Sequence, residues 1–128
     1  MDEDFLRILE KIREAGVTPG IALPYDSTIE DVKAALRSVS KILLLAIPRP
    51  GISGQHFQEE IFRLVREINE LPDRNNFDVC VDGGINLEIS QKLDVEKIVS
   101  ASFVLSGQDS RKCIINLQTE GKYAANYR

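Results

Sequence analysis

The chain has 128 residues, 43% of them hydrophobic and 28% charged, with a formal net charge of -4. Such a balance suits one globular domain with a single core and excludes a disordered chain. Charges of both signs are scattered without a basic patch, which argues against a nucleic-acid partner, and no apolar run approaches the length of a membrane span.

The opening, MDEDFLRILE, is acidic where a signal peptide is basic, so the cytoplasm is the expected compartment. Phe5, Leu9 and Ile12, with Ile8 beside them, mark the stripe of a first helix over DEDFLRILEKIREAG, which Gly16 is placed to stop. A β-prone run follows at residues 20 to 23. PYDST then turns the chain, and Ser27 with Glu30 forms a possible capping box for a helix carrying Ile29, Val32 and Leu36 and ending near Ser38. KILLLAI, residues 41 to 47, is a continuous apolar run too short for a helix, the pattern of a strand covered on both faces. Beyond the proline- and glycine-rich PRPGISGQ, the set Phe57, Ile61, Leu64, Ile68 and Leu71 traces one face of a long helix that ends before Pro72.

FDVCVDGGIN, residues 77 to 86, is the stretch of greatest interest. Phe77, Val79 and Val81 form a strand that delivers the carboxylate of Asp82 into Gly83 and Gly84, and Asn86 can cap the helix LEISQKL. A ligand-facing loop at a sheet's carboxyl edge has this order, and so does a plain capped turn. KIVSASFVL, residues 97 to 105, reads as the last strand, Cys113 to Leu117 as a short helix, and residues 118 to 128 as an irregular tail. Cys80 and Cys113 lack metal-type spacing and read as reduced thiols. Helix and strand alternate four times, which implies right-handed crossovers and one parallel sheet in sequential order, with helices on one face. Four strands are half of the eight that close a typical barrel, so the expected fold is α/β, a partial TIM barrel of about four βα units in a single domain over residues 1 to 128.

From about Ala15 to Leu117 these residues carry a resemblance. RPGISGQHF resembles the glycine loop after the sixth strand of the ribulose-phosphate 3-epimerase family, with Pro50, Gly51, Gly54, Gln55 and Phe57 matching. VDGGIN resembles the end of the seventh strand, and KIVSASFVLSGQDSRKCIINL the eighth strand and helix. The resemblance is to the carboxyl-terminal half of that barrel, whose reaction interconverts ribulose 5-phosphate and xylulose 5-phosphate. It implies that Asp82 is one of two catalytic acids and a ligand of a divalent metal cation. It further implies that backbone N–H groups at Ser53, Gly54, Gly83, Gly84, Ala101 and Ser102 hold the substrate phosphate.

The departures bear on activity. The family's second acid and its histidine and aspartate metal ligands lie in the half that this sequence does not match. His56, the sole histidine, precedes a helix and reads as a surface cap. Ala101 stands where the family has glycine, and its methyl group would crowd a phosphate. The sequence therefore implies a sugar-phosphate protein that is inactive alone, either an epimerase half that needs a complement or a non-catalytic binding or interaction module. An open sheet of this kind also implies self-association or a complementing half-barrel.

Overall fold

Four short β-prone segments pair in parallel because each connection between them holds a helix that returns the chain to the same end of the sheet. The computed structural model describes residues 2–52, 54–107 and 109–119. The strands are β1 (Ile21–Pro24), β2 (Lys41–Leu45), β3 (Asp78–Asp82) and β4 (Lys97–Val99), in the order β1-β2-β3-β4 with every pairing parallel. The helices are α1 (Glu3–Glu14), α2 (Ile29–Leu36), α3 (Glu60–Asn69), α4 (Leu87–Lys92), α5 (Ser102–Leu105) and α6 (Ser110–Thr119). A 3₁₀ turn, Arg74–Asn76, precedes β3.

Register sorts the strand residues into two faces. Ile21, Ile42 and Val79 form one row of the first face, and Leu23, Leu44, Val81 and Ile98 the next. These rows meet Leu9 of α1, Val32 and Ala35 of α2, and Ile61, Leu64, Val65 and Ile68 of α3 in one core. The opposite face carries Ala22, Leu43, Cys80 and Lys97 in one row and Pro24, Leu45, Asp82 and Val99 in the other. None of these eight side chains is buried. The apolar run of β2 is thus covered by helices on one side only, against the expectation of two. A strand that lines a barrel's interior and a strand between two helix layers share that composition.

Other differences have local causes. The capping box belongs to Thr28 and Asp31: the Thr28 hydroxyl accepts from the Asp31 N–H at 3.2 Å, and the Asp31 carboxylate accepts from the Thr28 N–H at 2.8 Å. Ser27 is engaged one residue earlier, its N–H closing the turn onto the Pro24 carbonyl at 3.1 Å. β1 begins at Ile21, whose partner Ile42 opens the pairing, and β2 ends at Leu45. α3 starts at Glu60, because Phe57 and Gln58 belong to a loop in which the Gln58 N–H bonds the Ala46 carbonyl at 2.8 Å. His56 is exposed and does not cap α3, whose N-cap residue is Glu59. β4 stops at Val99, where its partner β3 runs out at Asp82, and Ser102–Leu105 coils into α5 despite its β-prone Phe103 and Val104. α6 extends through Gln118 and Thr119, which the expected tail included, while residues 120–128 lie outside the described set.

Candidate functional site

β3 places Asp82 by simple alternation. Val79 and Val81 are buried, so Cys80 and Asp82 point to the open face, with Asp82 at the carboxyl end of its strand. The backbone there is pinned, since the Asp82 carbonyl accepts from the N–H of Ala46, itself fully buried, at 2.8 Å. Gly83 and Gly84 follow with φ of 119° and 64°, a region that disfavours side chains. A Cβ at Gly83 would come within 2.8 Å of Ile47 Cγ2, and one at Gly84 within 2.5 Å of the Phe57 nitrogen. Both glycines are therefore required by the packing of one loop on another, whatever ligand they meet. Asn86 then caps α4, its side chain accepting from the Ile89 N–H at 2.9 Å.

The loop after β2 is organised by one side chain. The carboxamide of Gln55 donates to the carbonyls of Arg49 and Ile52, each at 2.6 Å, and accepts from the Arg49 N–H at 2.9 Å. Gly54 differs from the paired glycines: its φ is 81°, but a Cβ there would find nothing within 4 Å, so it faces open space. Ser53 lies outside the described residues. On the third loop the Ser100 hydroxyl donates to the Ile85 carbonyl at 2.8 Å, tying the end of β4 to the Gly83–Gly84 turn. Ala101 and Ser102 follow, both exposed.

The three loops enclose a cleft of about 500 Å³ whose lining includes Gly54, Asp82, Gly83, Gly84, Ala101 and Ser102. Every described residue singled out from the sequence as a candidate thus reaches one place. Gln55, quoted only as part of a motif, and Ser100 prove to be the side chains that hold the loops; neither role could be read without the geometry. Cys80 sits one row below Asp82 on the open face. Burial pushes its thiol pKa up, the Asp82 charge adds to that, and Lys97 opposes it.

Among the described residues Asp82 is the sole carboxylate lining the cleft. Among the described residues no three His, Cys, Asp or Glu side chains come together as metal ligands. A divalent cation held by protein oxygens needs several such donors, so the described residues alone do not fit one.

Parallel strands in consecutive order, helices α1 to α4 packed on one face and a glycine-lined cleft at the strands' carboxyl ends define a partial α/β barrel with its cleft where barrel sites lie. The chain belongs to the ribulose-phosphate 3-epimerase family, whose model matches residues 2–105. A ribulose-phosphate 3-epimerase of Helicobacter pylori (strain J99) is 34% identical over 118 residues, covering 88% of this chain and 54% of the relative. One from Methanocaldococcus jannaschii is 28% identical over 125 residues, 94% of this chain and 53% of the relative, and one from Encephalitozoon cuniculi is 31% identical over 100 residues, 78% and 41%. The chain spans about half the length of these relatives. None of its described helices is long and apolar enough to cross a membrane.

Proposed function

We propose that this chain carries the phosphate-binding, single-acid part of a ribulose-phosphate 3-epimerase site, binding a sugar phosphate such as ribulose 5-phosphate without turning it over by itself. The observation that carries this reading is the gathering of Asp82 with Gly54, Gly83, Gly84, Ala101 and Ser102 around one cleft, from three consecutive strand ends. Backbone N–H groups of those loops would hold the phosphate, as glycine turns with positive φ do for anions. Asp82 would then stand beside the carbon next to the ketone. Its carboxylate can take that carbon's proton, leaving an enediolate whose negative charge needs stabilisation. Epimerisation is complete only when a proton returns to the same carbon from the opposite face, and the described residues of the cleft offer no second carboxylate for that step. The metal that the family resemblance implies would find Asp82 here and its remaining ligands elsewhere. The two free cysteines fit a reducing compartment, and we place the protein in the cytoplasm.

The test is a titration of residues 1 to 128 with ribulose 5-phosphate, followed by amide chemical shifts. Shifts are expected at Gly54, Gly83, Gly84 and Ser102, and Ser102→Glu, an exposed substitution that sets a like charge in the cleft, should abolish them. Solvent deuterium should not enter the sugar beyond the no-protein control. An absence of shifts at millimolar ligand would overturn the binding reading. Exchange by the chain alone, lost in Asp82→Asn, would overturn the single-acid reading.

A further inference from the structure

We propose that the open face and both free edges of the sheet receive one complementary half-barrel of four parallel strands and three outer helices, and that a second copy of this chain cannot take its place. The proposal rests on the family reading for the origin of the complement. Its geometry comes from the fold.

Among the described residues β1 and β4 each pair on one side only, so the sheet ends there in two free edges. The face between them carries Leu43, Leu45 and Val99 unburied. Exposed apolar side chains also gather on the helices flanking the two edges: Phe5, Leu6 and Ile8 of α1 on the β1 side, and Leu105, Ile114 and Ile115 of α5 and α6 on the β4 side. Surfaces of this kind are covered in the functional state.

Helix arithmetic selects the occupant. In a closed eight-stranded barrel each strand is followed by one outer helix, so each seam between neighbouring strands takes one helix about 10 Å across. Here α2, α3 and α4 follow β1, β2 and β3, the α5–α6 pair follows β4, and α1 precedes β1 as a surplus. That surplus helix is firmly seated. Leu9 lies in the core, Phe5 shares a cavity with Ile21, Leu23 and Ala35, and Arg13 donates to the Ser38 carbonyl. At the other edge Ile114 and Leu117 of α6 share a cavity of about 360 Å³ with Ile98 and Val99 of β4. If two copies met edge to edge, α1 of one and α6 of the other would compete for the same seam, twice over. A complement with four strands and three helices leaves one helix for every seam. Edge contacts between copies that cannot close a ring give open-ended association instead.

Sedimentation of residues 1 to 128 alone and with an equimolar amount of the amino-terminal part of the Helicobacter relative tests this. Alone, the chain should sediment as a monomer or as open-ended, concentration-dependent oligomers. With the complement it should form one 1:1 species in which the amides of Ile21–Leu23 and Ile98–Val99 gain protection from hydrogen exchange. Val99→Lys, at a side chain already 45% exposed, should leave the isolated fold intact and weaken the complex at least about tenfold by burying an unpaired charge. A discrete dimer of the chain alone that ignores the complement would overturn the proposal, as would a chain that the complement neither binds nor disperses. Assembly is read independently of turnover, so a 1:1 complex without exchange would sink the catalytic reading and leave this one standing.

Discussion

The two faces of the sheet are built from alternate residues of the same four strands, yet they serve different ends. On the covered face Ile42, Leu44, Val79 and Val81 are almost wholly inaccessible and meet three helices. On the open face Leu43, Leu45, Cys80 and Asp82 stay half-exposed, and the row that ends in Asp82 leads into the cleft. Stability is therefore concentrated on one side and the means of binding on the other, and substitutions one residue apart should separate them.

The widest separation is expected within β2. Leu44→Ala removes a fully buried side chain from the core and should cost about 2–5 kcal/mol of unfolding free energy, whereas Leu45→Ala on the open face should cost under about 1 kcal/mol. Urea denaturation of the two variants measures both. Equal losses would mean that the open face is covered in the isolated chain.

The glycines of the cleft sharpen the comparison next. Gly84→Ala drives a methyl group to 2.5 Å from the Phe57 nitrogen in a left-handed conformation, and a loss of about 1–3 kcal/mol is expected. Gly54→Ala meets no atom within 4 Å and should lose only about 1 kcal/mol, from its positive φ. Thermal melts of the pair decide it. Ligand binding is better probed at Gly54 or Ser102 than at Gly84, because a bulky Gly84 variant damages the fold before any ligand arrives.

At the other end of the strands, away from the cleft, Arg74 clamps β3 to the approach of β4. It bonds both Glu96 carboxylate oxygens, at 2.7 and 2.8 Å, along with Asn69 and the Phe77 carbonyl, and its guanidinium stacks over the Phe77 ring. Burial works to raise the Glu96 pKa, but the hydrogen bonds from Arg74 and from the Val79 N–H, with the Arg74 charge, outweigh it and hold the carboxyl below its ordinary value. A depressed folded-state pKa adds stability that is fully present above the unfolded value and is lost as pH falls through the folded one. Stability should thus decline below about pH 4.5, and Glu96→Gln should flatten that limb by roughly 1 kcal/mol, a figure discounted because the Glu96 side chain is 36% exposed. Urea titrations from pH 3 to 7 measure the slope.

Much of this organisation was legible in the sequence. The β-prone runs and the helices between them imply the parallel order, and Asp82 followed by two glycines marks the cleft. The rest was not legible, for physical reasons. KILLLAI reads the same whether its second face meets helices or a barrel interior, so the open face needed coordinates. STIED holds two overlapping capping patterns, and the bond of the Thr28 hydroxyl to the Asp31 N–H decides between them. The sequence SASFVL favours a strand by propensity, but with no partner beyond Asp82 the chain coils after Val99. The Arg74 clamp and the Gln55 carboxamide join residues whose side chains carry no pattern of their own.

The smallest effect probes the open face from within. Cys80 and Asp82 lie on the same side of β3, with Lys97 paired directly across from Cys80. Burial is the chief reason the thiol pKa is raised, the Asp82 carboxylate contributes second, and Lys97 pulls the other way. Removing the charge in Asp82→Asn should lower the Cys80 pKa, while Lys97→Gln should raise it further. The rate of alkylation by iodoacetamide against pH reads the thiolate directly. Cys113→Ser serves as the background so that one thiol reports. If the Asp82→Asn profile moves toward lower pH while its unfolding free energy stays within about 0.5 kcal/mol of the parent, Asp82 is an electrostatic presence on the open face with no part in holding the fold. A complement seated on that face should bury Cys80 and slow the alkylation in the same sample, so this thiol reports both the charge of the acid and the covering of its face.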